Sequence, residues 1–136
     1  MADIAITAAS VLKSTSSVIE GGTAGATITA GQTVYKDASD SNKVKLADAN
    51  ASDATAACVG IALNGAASGQ PISFATSGPY TAGGTLTAGA VYVLSATAGA
   101  IAPVADLTTG WRTTILGVAT STTVLDLRIY ASNTTN

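Results

Sequence analysis

The sequence predicts an all-β fold: a small barrel or sandwich built from an internal duplication, with an extended N-terminal arm. Three observations carry this. The stretch "TAGATITAG" at 23–31 returns as "TAGGTLTAG" at 81–89. Short apolar runs alternate with polar residues at a period of two. No window of useful length shows the apolar spacing of a helix, apart from a possible single turn within 47–57.

The duplication extends well past the nonapeptide. Val34-Tyr35 matches Val91-Tyr92, Ala47-Asp48 matches Ala105-Asp106, and "VGIA" at 59–62 matches "LGVA" at 116–119, all at offsets of 57 or 58. Sustained self-similarity at one period marks a repeated structural unit. The chain therefore divides into an arm at 1–20, one β repeat at 21–78, a second at 79–131 and a short tail at 132–136.

Taken in order, the arm is rich in Ala, Ser and Thr with spaced apolar residues Ile4, Ile6, Val11, Leu12, Val18 and Ile19. It is either a frayed end or an arm that adds a strand to a neighbour. In each repeat, "ATIT" (26–29) and "GTLT" (84–87) read as short strands closed by Ala-Gly turns, where glycine supplies positive φ. Val34-Tyr35 and "VYVL" at 91–94 open the next strands. In "KVKL", 43–46, Val44 and Leu46 take one face and Lys43 and Lys45 the other. Val59, Ile61 and Leu63 form one period-2 set with counterparts Leu116 and Val118. Between them Gly60 and Gly117 lie on the opposite face, where glycine inside a strand signals the close approach of another backbone. The final strand, 124–130, turns Leu125, Leu127 and Ile129 inward and Asp126 and Arg128 to water.

Composition narrows the function. Alanine accounts for 28 residues, while Leu, Ile, Val and Phe together number 29, so the predicted core is thin. The missing burial is expected to come from partners. Six scattered Lys and Arg against eight Asp and Glu leave no basic footprint for nucleic acid. The uncharged segment 54–105 is broken by Gly, Pro and Ser, so no membrane span is expected. The N-terminus lacks a basic leader and carries Asp3 where one would want Lys or Arg, so secretion by the ordinary route is not expected.

Catalytic, cofactor and metal sites are not expected. Histidine is absent, and the lone Cys58 in "AACVGIAL" reads as a small core residue. The acidic residues Asp37, Asp40, Asp48 and Asp53 cluster in one region, and Asp48, Asn50 and Ser52 have a calcium-loop rhythm. That pattern fails where the loop needs Gly and a terminal Glu. Trp111 beside Arg112 reads either as a core plug or as an interface anchor.

The order of features in "VYKDASDSNKVKLADANASDATAACVGIALNGAASGQPISFATSG", 34–78, resembles the head decoration (cement) proteins of tailed bacteriophages, lambda-type proteins among them. The matching features are an apolar strand ending in Asp37, the Lys-Val strand at 43–46, an acidic Ala/Thr loop, "VGIA", and the strand at 71–74 closed by Ser77-Gly78. Residues 79–131 resemble a second copy, as in two-repeat phage and prophage relatives. The resemblance implies a homotrimer that binds the major capsid protein on the outer surface of the expanded capsid and stabilises it against internal DNA pressure. It also implies an N-terminal arm ordering against the capsid through residues such as Ile4, Ile6, Val11, Leu12 and Val18. The alternative is a surface- or carbohydrate-binding β module of a phage tail or fibre.

Overall fold

The structure is a computed structural model and describes residues 3–135. Among these, ten strands join one curled, antiparallel sheet, so the protein is all-β. In chain order they are β1 (Leu12–Lys13), β2 (Val18–Thr23), β3 (Thr33–Asp37), β4 (Lys43–Leu46), β5 (Gly60–Ala62), β6 (Pro71–Thr81), β7 (Val91–Leu94), β8 (Ile101–Pro103), β9 (Arg112–Ala119) and β10 (Val124–Thr135). A single helical turn, α1 (Asp53–Ala56), falls inside the 47–57 stretch. Ser52 caps it by accepting from the Thr55 N–H, while Thr55 Oγ1 accepts from the Ser52 N–H.

The strand order is β4-β3-β5-β6-β10-β9-β7-β8, with β1 and β2 both paired to β6. The first half thus reads β4-β3-β5-β6 and the second β8-β7-β9-β10, the same arrangement of hairpins. The repeated nonapeptide is built the same way twice. Gln32 N–H donates to Thr29 O and Ala90 N–H to Thr87 O, with Gly31 (φ +93) and Gly89 (φ +83) at the third turn position. Each glycine N–H then reaches the matching strand: Gly31 to Ala62 O at 2.8 Å and Gly89 to Ala119 O at 2.7 Å.

The long strand β6 is the spine. Phe74, Ala75, Ser77, Tyr80 and Thr81 each have register partners on both edges. On one edge β5 gives way to β10; on the other β2 gives way to β1. The arm therefore adds its strands to its own chain.

Two apolar clusters fill the fold. The larger draws on both halves, bringing Tyr35, Ile61 and Tyr80 together with Tyr92, Leu94, Leu116, Leu125 and Leu127. The smaller lies in the first half around Ile28, Val34, Val44, Ile72 and Phe74. Alanines such as Ala47, Ala62, Ala75 and Ala102 are fully buried, letting strands approach closely where larger side chains would not fit. The solvent-accessible area, 6133 Å², is close to the ~6,400 Å² expected of a folded monomer of this mass.

Three sequence expectations are corrected, and the repeat boundaries are placed within strands. "ATIT" and "GTLT" are not regular strands: Ile28 makes only an isolated bridge with Ala66, and Leu86 N–H donates to Thr122 O. With glycine on both sides, each segment is too short to hold a ladder. Leu116 and Val118 do not share a face: Leu116 is buried and Val118 points outward, because the ladder to β7 slips by one residue at Leu116 and reverses the alternation beyond it. The boundaries at 20/21, 78/79 and 131/132 fall inside β2, β6 and β10. The arm is hydrogen-bonded, not frayed, with Ile4 N–H donating to Ile101 O and Thr7 N–H to Gly83 O; Met1, Ala2 and Asn136 lie outside the described residues.

Candidate functional site

The arm splits into an inward and an outward part. Val11 is buried, and Ile4 and Ile6 pack against the larger core. Leu12 and Val18 are 59% and 56% exposed. Two of the five predicted arm residues therefore present apolar surface, and three hold the arm down.

Register shows what surrounds those two. Leu12 lies across from Thr81, and Thr81 from Val124. Val18 lies across from Ser77, and Ser77 from Arg128. Pro79, Asp126, Val118 and Val91 form a third row over β6, β10, β9 and β7. Residues opposite one another share a face, and residues two apart on a strand do as well. Leu12, Val18, Val124, Val118 and Val91 thus occupy one outer face, with Val118 42% exposed. Its charges are Asp126 and Arg128, paired with each other at 3.3 Å. Tyr130, 64% exposed, follows on β10 beyond a bulge.

Gly60 and Gly117 are structural. A Cβ at Gly60 would run into Ala75 O, and one at Gly117 into Asp126 O, each on the neighbouring strand. Trp111 is half-buried against the larger core, and Arg112 Nε donates to Asp53 Oδ1 at 2.5 Å. The Arg112 N–H also donates to Ala49 O, and Thr114 Oγ1 to Ala56 O at 2.7 Å. Trp111 and Arg112 thus sit where the second half is fastened to the helical turn of the first.

The acidic residues are likewise engaged. Asp37 accepts from Lys45 Nζ at 2.8 Å and from the N–H and hydroxyl of Ser39. Lys45, then Ser39, holds the Asp37 carboxyl down to about 2, and the same pairing raises the Lys45 ammonium. Asp48 Oδ1 accepts from the Asn50 N–H and so supports a turn leading into α1. No group of three or more potential metal ligands occurs among the described residues. Burial pushes the Cys58 thiol up to about 12, the state of an inert core cysteine. No helix among the described residues is long and apolar enough to cross a membrane.

Two hollows lie beside residues of the second half and the arm. An apolar groove of about 780 Å³ runs beside Ile4, Ala90, Val91, Pro103, Val104 and Ala105. A more polar one of about 540 Å³ lies beside Asp3, Ser95, Thr97, Asp106, Thr108 and Trp111, where Ser95 Oγ donates to Asp3 Oδ1 at 2.6 Å. Sequence reading missed the outer face and the groove, because both depend on which strands become neighbours. No protein-family model and no curated protein matches this chain.

Proposed function

We propose that the protein is a non-enzymatic capsid decoration protein of a tailed bacteriophage, attaching to the outer surface of the expanded capsid and bracing its major capsid protein. The supporting observation is the outer face bearing Leu12, Val18, Val124 and Val118, with its one internally paired charge couple. Exposed apolar side chains gathered on one face, with little charge to desolvate, suit a protein-binding surface. The short Val and Leu side chains of that face lose little rotamer entropy on docking. On this reading the contact belongs to Leu12 and Val18, while Ile4, Ile6 and Val11 keep the arm on its own sheet. Oligomerisation as a trimer belongs to the same proposal.

The test is co-sedimentation with expanded capsids of the phage or prophage that encodes the chain. The wild type is expected to bind, and a Leu12→Asp/Val18→Asp variant to lose binding while keeping its melting midpoint. Failure of the wild type to bind, or undiminished binding by the variant, would overturn the proposal. Deleting the arm is a poorer test, since it also removes core side chains.

A second reading, a carbohydrate-binding module of a tail or fibre, is favoured by the polar hollow beside Trp111. Trp111 is the chain's single tryptophan. Its fluorescence would therefore report saturable sugar binding directly, and its silence across phage-receptor glycans would remove this reading.

A further inference from the structure

One kind of turn recurs through the chain, and one copy of it is used as a plug. In Thr29–Gln32, Ala67–Gln70, Thr87–Ala90, Thr97–Ala100 and Thr108–Trp111, the fourth N–H donates to the first carbonyl. The third residue in each is a glycine with φ between +80 and +99. The turn Thr97–Ala100 of the second half is seated on the first. Gly99 O accepts from the Thr33 N–H at 3.0 Å, and Gly99 N–H donates to Ala47 O at 2.8 Å. Leu46 and Gln32 close around it so tightly that a Cβ on Gly99 would meet them at 3.1 and 3.2 Å.

The second half carries the counterpart of this seat. Thr33 and Ala47 are the next pair of the β3–β4 register beyond Val34 and Leu46, and the same step beyond Tyr92 and Pro103 reaches Val91 and Val104. Both line the 780 Å³ groove, together with Ala90, Pro103, Ala105 and Ile4. In the first half the position is filled by a neutral glycine turn; in the second it is an open, mainly apolar groove with Asp3 among its lining residues. The topological counterpart of the plug, the loop between β3 and β4, is unsuited to it. Asp37 and Asp40 there are paired with Lys45, and that charged tip would lose its water in a mainly apolar groove that already has the carboxylate of Asp3 in its lining.

Another turn has the right chemistry. Ala67–Gln70 is uncharged and exposed at all four residues, and a Cβ on Gly69 would meet nothing within 4 Å. It has the hydrogen bond and left-handed glycine of the seated turn, and it lies in the opposite half from the open groove. We infer that copies of this chain associate head to tail, the Ala67–Gln70 turn of one copy seating in the groove beside Val91 and Ala105 of the next. Such a contact joins two different surfaces, so it closes into a ring or continues as a filament.

Site-directed cross-linking and light scattering test this together. Ser68→Cys and Val104→Cys variants, mixed and oxidised with copper phenanthroline, are expected to give disulfide-linked dimers that neither variant gives alone. The buried Cys58 stays out of the reaction. Ala105→Arg, at an exposed position, is expected to abolish both the cross-link and the concentration-dependent rise in mass, with an unchanged melting midpoint. If Ala105→Arg fails to fold, Val104→Asp serves the same purpose at another exposed position. A wild type that stays monomeric to millimolar concentration would overturn the inference. So would cross-linking of Val104→Cys to Ser39→Cys in place of Ser68→Cys, which would make the β3–β4 loop the occupant. The inference gives the self-association in the proposed function its surfaces, and capsid binding is read separately by co-sedimentation: loss of the cross-link with capsid binding intact overturns this inference alone.

Discussion

Adding one methyl group at Gly60 or Gly117 probes the closest backbone approaches in the sheet. At Gly60 the new Cβ would collide with Ala75 O and sit 2.7 Å from Phe74 Cδ2. Neither can yield easily, because Phe74 is fully buried and Ala75 belongs to the doubly paired β6. At Gly117 the obstacle is Asp126 O, with Asp126 C at 2.9 Å and Leu127 Cα at 3.3 Å, all backbone of β10. Overpacking a core costs about 1–3 kcal/mol, and backbone obstacles put both sites at the upper end, about 3 kcal/mol. With a urea m-value of about 1–3 kcal/mol/M, the unfolding midpoints of Gly60→Ala and Gly117→Ala should fall by about 1–3 M. Gly65→Ala is the control, since its Cβ would meet only Ile28 O at 3.7 Å, an ordinary contact. Its midpoint should stay level or rise slightly, as a glycine-to-alanine change at an unstrained site restricts the unfolded chain. If all three variants unfold with the wild type, the close-approach reasoning is wrong.

Three further outcomes follow from the buried and paired groups. The Asp37 carboxyl, held at about 2 against an unfolded value of about 3.9, contributes stability that is complete above the unfolded value. That contribution is lost as pH falls through the window from about 4 to about 2, so Asp37→Asn should flatten the acid limb of midpoint against pH; an unchanged limb would refute the pairing. Tyr80 is buried with a hydroxyl that has no hydrogen-bond partner among the described residues, so Tyr80→Phe should leave stability level or raise it by about 1 kcal/mol, read by calorimetry. Cys58 should resist an aromatic disulfide reagent at neutral pH in the native protein and react fully in urea; rapid native labelling would contradict its burial.

Much of the fold was legible where local chemistry decides it. The Ala-Gly turns at 30–31 and 88–89, the strands opening at Val34 and Val91, and the inward set of β10 were readable from period and glycine placement. What stayed hidden depends on partners distant in sequence. Simple alternation puts Val118 on the face of Leu116, and only the one-residue slip at Leu116 turns it out. The arm was legible as apolar but not as inward or outward, because Ile6 and Val11 are decided by their packing near Gly31 and Gly83. The outer face could not be read at all, since it forms only when β1, β2, β6, β10, β9 and β7 lie in that order.

A linear duplication that merges into one sheet cannot give both copies the same surroundings. Each half offers a seat between its first strand and the turn that follows its second, and each half offers a turn between those strands. Within one chain only one match is made: the second half's turn enters the first half's seat at Thr33 and Ala47. One seat is then left over, and so is one charged loop. The arm meets part of this asymmetry, since Ile4 hydrogen-bonds to β8 and lines the rim of the open groove without filling it. Where two halves share a topology, the positions at which their neighbours differ are the places to look for what a second molecule would complete. By that argument the groove beside Val91 and Ala105 is a stronger candidate for self-contact than the outer face. The face has no filled counterpart in the chain to serve as a template, and that leaves it available for a partner of another kind.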